Sequence, residues 1–233
     1  MTAVRHVVYL HGFASSPASS KATWFRERLA AHGVSSACPD FNEPAFDTLT
    51  ITRMLGQTAA AIAEAPAGPV ALVGSSLGAF VAVHAADRDR TGRVDRLILL
   101  APALDFGGNR LKQLGPHGID EWRERGYLTL MHYAYGEERS VGFALYEDAA
   151  KYDALHVALR LPTLAFQGRH DELVDTGMVT AWAAGQPTVD LHVVDDGHQL
   201  GQSLPEIWRA AVPFLGLARD GGQADSSDGD TDA

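Results

Sequence analysis

The segment VGSSLGAF at residues 73–80 places two serines, Ser75 and Ser76, side by side between glycines. It fits the pattern G-x-S-x-G, in which the central serine is a nucleophile in a strained turn between a strand and a helix. Residues two positions before and after such a nucleophile must be small, because larger side chains would collide with the turn. Glycine occupies both positions around Ser76, whereas Val73 and Leu77 occupy them around Ser75. The spacing therefore selects Ser76 as the candidate nucleophile.

A serine nucleophile needs a base, and the chain offers one in the expected order. A serine hydroxyl reacts poorly near neutral pH unless a histidine, oriented by a carboxylate, takes its proton. With this motif the acid and then the histidine follow the serine, in loops after later strands. Asp171 follows an apolar run at 161–168, and His198 follows another at 189–194. Because parallel strands end at a common sheet edge, we predict that Asp171 and His198 join Ser76 there.

Other residues of the right types compete for these two roles. The chain has ten histidines, and His170 is the main alternative base. It adjoins Asp171, however, and neighbouring residues on one turn rarely face each other. Asp105, which follows the fourth predicted strand, and Asp175 are alternative acids. The order along the chain favours Asp171 and His198.

The loop after the first predicted strand is expected to complete the site. The oxyanion of a tetrahedral intermediate needs preorganised donors, and the Leu77 N–H, directly after the serine at a helix start, is one candidate. The second is the Phe13 N–H, because Gly12 lets that backbone approach closely. His11 is interpreted as a structural brace. A structural place in the following helix is favoured for Lys21, with substrate binding as the alternative.

The sequence predicts neither a cofactor nor a metal. It contains no GxGxxG or Walker A pattern. The segment HDELVD at 170–175 has metal-ligating residue types, but no second histidine cluster is spaced to complete a site.

Short apolar runs alternate with helical stretches along most of the chain. Strands are predicted at 5–10, 34–38, 70–74, 94–103, 161–168 and 189–194. Helices are predicted at 19–33, 48–65, 77–88 and 205–218. Runs that are apolar throughout and separated by helices are typical of a parallel sheet covered on both faces. We therefore predict an α/β fold with a reduced, mostly parallel sheet of about six strands.

The segment at about 104–153 interrupts this alternation and is rich in glycine, histidine and aromatic residues. It is far longer than an ordinary connection between a strand and a helix, so a small cap over one end of the sheet is expected. YLTLMHYAY and SVGFALY, separated by GEER, are interpreted as a hairpin, with a helix in either arm as the alternative.

Composition is typical of one globular domain. Of 233 residues, 46% are hydrophobic, enough for one sizeable core, and we assign a single domain to 1–218. The formal net charge is −10. Residues 220–233 carry five aspartates without lysine or arginine. The acidic tail at 219–233 is therefore predicted to be disordered.

Composition also bears on partners and location. No basic patch would attract nucleic acid, and no run approaches the ~18–20 apolar residues of a membrane span. The chain has one cysteine, Cys38, which excludes an intramolecular disulfide and fits a reducing compartment. The N-terminus lacks the apolar region and cleavage site of a signal peptide. We expect a cytoplasmic protein, monomeric or homodimeric.

Four stretches together carry a family resemblance: VVYLHGFASSPASSKA, GSSLGAF, GRHDELV and DDGHQL. The chain resembles the α/β-hydrolase superfamily and is most similar to its small serine esterases of the YqiA/YcfP type. The resemblance implies Ser76 as nucleophile, Asp171 as acid and His198 as base, with Phe13 and Leu77 as oxyanion donors. It also implies a reduced sheet, since the chain begins almost at YLHGF, without the strands that usually precede it.

The expected activity follows from these residues and from the resemblance. We predict a serine hydrolase that cleaves carboxylic esters through an acyl-enzyme, with a small acyl ester as substrate. An acyl-thioesterase using the same three residues is the nearest alternative. A non-catalytic hydrolase-like binding module is the alternative from another class. Peptidase or carbon–carbon bond hydrolase activity is less favoured.

Overall fold

The computed structural model describes residues 3–107 and 114–217. Eight strands lie in this part of the chain: β1 (His6–Leu10), β2 (Ser35–Ala37), β3 (Val70–Ser75), β4 (Val94–Leu100), β5 (Tyr127–His132), β6 (Glu137–Gly142), β7 (Thr163–Gly168) and β8 (Val189–Val194). Six form one parallel sheet in the order β2-β1-β3-β4-β7-β8, while β5 and β6 form an antiparallel hairpin. The prediction of a reduced parallel sheet of six strands is confirmed. The predicted acidic tail at 219–233 lies outside the described residues.

Seven α-helices occupy the described ranges: α1 (Ser20–Ala31), α2 (Ile51–Glu64), α3 (Leu77–Arg88), α4 (Gly115–Arg125), α5 (Ala144–Ala149), α6 (Thr176–Ala184) and α7 (Leu204–Phe214). A short 3-10 helix, Phe46–Thr48, precedes α2. None of the helices in the described part of the chain has the length and apolar character needed to cross a membrane.

Both faces of the sheet are buried, because successive side chains of a strand point to opposite sides. In β1, Val8 and Leu10 pack in the cluster that includes α2, α3 and α6. Val7 and Tyr9 pack in the cluster on the other face, which includes α1 and α7. This three-layer arrangement explains why the inner strands β1, β3 and β7 are buried along their whole length.

The strand register aligns the loops that carry the candidate site residues. Leu10 of β1 lies opposite Gly74 of β3, and Gly168 of β7 lies opposite Val194 of β8. All these residues are at or near the carboxyl ends of their strands. The loops that follow β1, β3, β7 and β8 therefore leave the sheet at one edge.

The segment between β4 and β7 contains α4, β5, β6 and α5, with residues 108–113 of the predicted cap outside the described ranges. The expected hairpin is present, but its second arm was misplaced. The turn lies at 133–136 and ends with Gly136 at φ 66°, a conformation that favours glycine. GEER is therefore not a connection, since Glu137 begins β6, and the residues from Ala144 onward form α5.

Polar contacts hold this inserted segment together and fasten it to the rest of the domain. The Trp122 indole N–H donates to the Val141 carbonyl at 3.1 Å, which ties α4 to β6. The Asp148 carboxylate of α5 accepts from the Thr52 N–H at 2.7 Å and from its hydroxyl at 2.8 Å. Because Thr52 is in the first turn of α2, Asp148 satisfies a helix N–H group from another element.

Candidate active site

Ser76 lies in a strained turn between β3 and α3. Its φ and ψ are 54° and −114°, a region that costs a non-glycine residue roughly 1–3 kcal/mol. Backbone hydrogen bonds hold it there: the Ser76 N–H donates to the Leu100 carbonyl at 2.8 Å, and the Ala103 N–H donates to the Ser76 carbonyl at 3.3 Å. Both partners belong to the end of the neighbouring strand β4 and the residues after it. The sheet therefore holds the serine in this conformation.

The glycines on either side of Ser76 are required by close backbone contacts. A Cβ atom at Gly74 would lie 2.5 Å from the Gly78 carbonyl oxygen. A Cβ atom at Gly78 would lie 1.9 Å from the carbonyl oxygen of Leu10 in β1. The requirement for small neighbours, which selected Ser76 over Ser75, thus has a steric origin on both sides.

Gly78→Ala is expected to lower the free energy of unfolding by more than about 3 kcal/mol, because backbone atoms of β1 would have to move. Gly56→Ala is the matched control, since Gly56 is exposed inside α2 and has no atom within 4 Å of an added Cβ. That change should stabilise the protein by about 0.5–1 kcal/mol. Urea unfolding measures both, and equal effects of the two substitutions would contradict the steric explanation.

The structure brings the three predicted catalytic side chains into one hydrogen-bonded chain. The Nε2 atom of His198 lies 3.0 Å from the Ser76 Oγ atom. The Nδ1 atom of the same ring lies 3.0 and 2.9 Å from the Oδ1 and Oδ2 atoms of Asp171. Ionised carboxylates only accept hydrogen bonds, so the Nδ1 atom carries the proton and Nε2 can accept from the serine hydroxyl. This arrangement can remove a proton from Ser76.

Asp171 is held in its ionised form by donors on every side. Its side chain is 0% exposed, and its carboxylate also accepts from the Leu173 and Val174 N–H groups at 2.8 Å and from Gln167 Nε2 at 2.9 Å. Burial alone raises the pKa of the Asp171 carboxyl. The hydrogen bonds from His198, Val174 and Leu173 outweigh burial, so the pKa lies below the ordinary aspartate value.

Two of the alternative residues, His170 and Asp175, have other partners. The exposed ring of His170 pairs its Nε2 atom with Asp195 Oδ1 at 2.8 Å. Asp175 caps α6 by accepting from the Gly177 N–H at 2.7 Å. Asp196 accepts from the Gly197, Gln202 and Ser203 N–H groups and so shapes the loop that carries His198.

The loop after β1 lies directly beside the serine turn. A Cβ atom at Gly12 would lie 3.3 Å from the Ser75 carbonyl oxygen, so only a minimal side chain fits comfortably between the two loops. The buried His11 ring braces this loop, because its Nδ1 atom bonds the Gly12 carbonyl at 2.9 Å and its Nε2 atom accepts from the Phe41 N–H at 3.0 Å. With both ring nitrogens bonded to the backbone, His11 has the structural role expected of it.

Phe13 and Leu77, the predicted oxyanion donors, both border the cavity into which Ser76 and His198 open. The Leu77 N–H is in the first turn of α3, where helix N–H groups have no intrahelical acceptor. Their donor role stays a prediction.

The cavity has a volume of about 360 Å³. Its walls combine an apolar part, formed by Phe13, Phe106, Leu130 and Met131, with a polar part, formed by Ser15, Ser19, Ser20 and Lys21. Residues 130 and 131 come from the inserted hairpin. No pattern in the sequence singles them out, although the sequence predicts that an aromatic-rich segment covers one end of the sheet.

The sheet order, the covering helices and the serine turn together define the α/β-hydrolase fold. Within it, the chain belongs to the uncharacterised protein family UPF0227, whose model matches residues 6–215.

Several solved structures share this fold. A protein from Agrobacterium vitis S4, provisionally described as a hydrolase, has a TM-score of 0.78 at 25% identity, covering 92% of this chain and 90% of that one. Est1E from Butyrivibrio proteoclasticus, solved with ferulic acid, has a TM-score of 0.76 at 18% identity, covering 91% and 88%. Alpha/beta hydrolase domain-containing protein 10 from mouse has a TM-score of 0.73 at 20% identity, covering 92% and 90%. No curated protein sequence matches this chain.

Proposed function

We propose that this protein is a serine hydrolase that cleaves carboxylic esters through an acyl-enzyme intermediate. The observation that carries the proposal is the hydrogen-bonded chain from Ser76 through His198 to Asp171, at the opening of a cavity. Est1E, which shares the fold and was solved with ferulic acid, a carboxylic acid, supports an acyl substrate.

In the proposed reaction the Ser76 Oγ atom attacks the acyl carbonyl while His198 Nε2 takes the hydroxyl proton. Asp171 holds the imidazole in the required tautomer and stabilises the imidazolium. The N–H groups of Phe13 and Leu77 stabilise the oxyanion. His198 then donates its proton to the leaving alcohol, and a water molecule activated by the same ring releases the acid.

A thioester would form the same acyl-enzyme with these residues, and a series of oxygen and thio esters of increasing acyl length measures the preference between them. We further propose that the protein acts in the cytoplasm on small acyl substrates, in keeping with its single cysteine.

Labelling with a fluorophosphonate tests the nucleophile directly. The wild-type protein is expected to be labelled at Ser76, and Ser76→Ala should not be labelled. Ser75→Ala is the matched control, because it removes the adjacent hydroxyl and should remain labelled. Labelling lost in Ser75→Ala and retained in Ser76→Ala would overturn the assignment. No labelling of the wild type, together with no turnover of p-nitrophenyl esters, would favour the binding module.

A further inference from the structure

Lys21 borders the cavity that contains Ser76 and His198, in the first turn of α1. Its ammonium group has no ion-pair or hydrogen-bond partner among residues 3–107 and 114–217. The side chain is half-buried. An unpaired cation in the wall of a cavity attracts anionic ligands, so its position calls for an explanation.

The two carboxylates that act on Lys21 electrostatically, Asp171 and Asp196, are already engaged. Asp171 accepts from His198 and from backbone N–H groups. Asp196 accepts from three backbone N–H groups of its own loop, which leads into His198. Neither approaches the Lys21 ammonium within ion-pair distance, so both attract the lysine without neutralising it.

Helix packing shows on which side of the cavity Lys21 lies. Its helix, α1, packs against α7, which follows the His198 loop, because the ring centroids of Trp24 and Trp208 lie 5.9 Å apart. The attraction of Lys21 by the two carboxylates agrees with this placement. Lys21 is therefore on the His198 side. In the proposed reaction His198 protonates the leaving alcohol, so a group bound by Lys21 belongs to the alcohol half of the substrate.

We propose that Lys21 binds an anionic group, a carboxylate or a phosphate, on the leaving-group half of the substrate. The inference rests on the proposed esterase function and narrows it to esters of anionic alcohols. The serines beside Lys21 in the cavity wall, Ser15, Ser19 and Ser20, make this part of the cavity polar. The apolar wall around Phe106 and Leu130 suits the uncharged part of the ester.

Two ester pairs test the charge and its position. 4-Acetoxybenzoate and 4-acetoxybenzamide differ in leaving-group charge, whereas the monophenyl ester of adipic acid and phenyl hexanoate differ in acyl charge. For the first pair, we compare kcat/KM of the anionic ester with kcat/KM of the neutral ester. Lys21→Met is expected to lower this ratio at least about tenfold, mainly by raising KM for the anionic ester. Lys21→Arg keeps the charge and should keep most of the ratio. For the second pair the ratio should not depend on Lys21.

Lys151→Met is the matched control, because Lys151 is exposed and pairs with Asp148 outside the cavity. It should leave both ratios unchanged. A ratio for the first pair that is the same in the wild type and in Lys21→Met would overturn the inference. So would a Lys21-dependent preference confined to the second pair.

The pH dependence of the first ratio gives an independent readout. Burial lowers the pKa of Lys21 to about 8, although attraction by nearby carboxylates opposes the shift. The charged form therefore binds the anion below that pH, and the wild-type ratio should fall as the pH rises through about 8. With Lys21→Arg it should stay flat, because the guanidinium remains charged. The other titratable groups that line the cavity are Tyr9, His11, Tyr133 and His198, and Asp171 and Asp196 act on Lys21 from nearby. The catalytic groups among them act on both esters, so their titration cancels in the ratio.

A binding measurement separates this inference from the esterase proposal. Titration calorimetry of 4-hydroxybenzoate, the product alcohol, into Ser76→Ala should give a dissociation constant at least about tenfold lower than into Ser76→Ala/Lys21→Met. Lys21-dependent binding without any ester turnover would support the anion site and overturn the esterase proposal. Ester turnover, together with a dissociation constant for 4-hydroxybenzoate that does not change with Lys21→Met, would support the esterase proposal and overturn the anion site.

Discussion

Ser76→Ala and His198→Ala are each expected to lower kcat for ester hydrolysis by on the order of 10⁶-fold, and the double substitution should cost no more than either single one. The reason is that the two side chains act as one unit, joined by the 3.0 Å contact between Oγ and Nε2. Without His198 the hydroxyl keeps its proton, and without Ser76 the imidazole has no nucleophile to activate. Losses that simply multiplied would indicate independent roles.

The measurement is single-turnover kinetics with p-nitrophenyl esters, beside thermal unfolding to show that each variant is folded. Ser75→Ala serves as the control for Ser76→Ala. The Ser75 side chain interacts with that of Tyr9 and takes no part in the proposed reaction, so kcat should change by less than about tenfold. A loss as large as that of Ser76→Ala would contradict the choice between the two serines.

Much of the fold could be predicted because strand burial is visible in the sequence. The run at 70–74 is apolar and ends at a glycine, whereas 189–194 alternates Asp190 and His192 with valine and leucine before a polar turn. Both predicted positions agree with β3 and β8 within a residue. The choice of Ser76 was accessible for a related reason. It depends on close contacts of Gly74 and Gly78 with nearby backbone. Because only glycine fits at such positions, its presence in the sequence indicates them.

The inserted segment was predicted less well because its structure depends on distant partners. The helix α5 is only six residues long, too short for a clear periodic pattern. It is held by the bonds from Asp148 to Thr52, residues 96 positions apart. Nothing in the sequence around Asp148 or around Thr52 predicts this contact.

The position of Lys21 at the candidate site also depends on distant contacts that the sequence does not reveal. From the sequence it follows the serines that open α1, and a structural place there was favoured. Its position in the cavity wall depends on how α1 packs beside the loops after β7 and β8. Residue type and order along the chain could therefore predict which serine, aspartate and histidine lie together, but not which further side chains line the cavity beside them.

Asp171→Asn is expected to lower kcat by on the order of 10⁴-fold while leaving the fold intact, since the amide has nearly the same shape. The backbone N–H groups of Leu173 and Val174 donate to Oδ1, so an asparagine will keep its carbonyl oxygen there. Its NH₂ group then faces His198, where the carboxylate had accepted from Nδ1. The ring must change tautomer to accept that hydrogen bond, which puts the proton on Nε2. In that form it cannot take a proton from Ser76.

Asp195→Asn is the matched control, because Asp195 also pairs with a histidine, His170 at 2.8 Å, but on the surface. Its kcat should equal that of the wild type.

The acid stability of Asp171→Asn gives a second readout. The Asp171 pKa is depressed in the folded protein, so ionisation of this group stabilises the fold above the ordinary aspartate value of 3.8. That contribution is lost as the pH falls through the lower folded pKa. The free energy of unfolding should therefore fall less steeply with acidification in Asp171→Asn than in the wild type. Equal slopes, with kcat within about tenfold of the wild type, would show that Asp171 neither carries a stabilising charge nor orients His198.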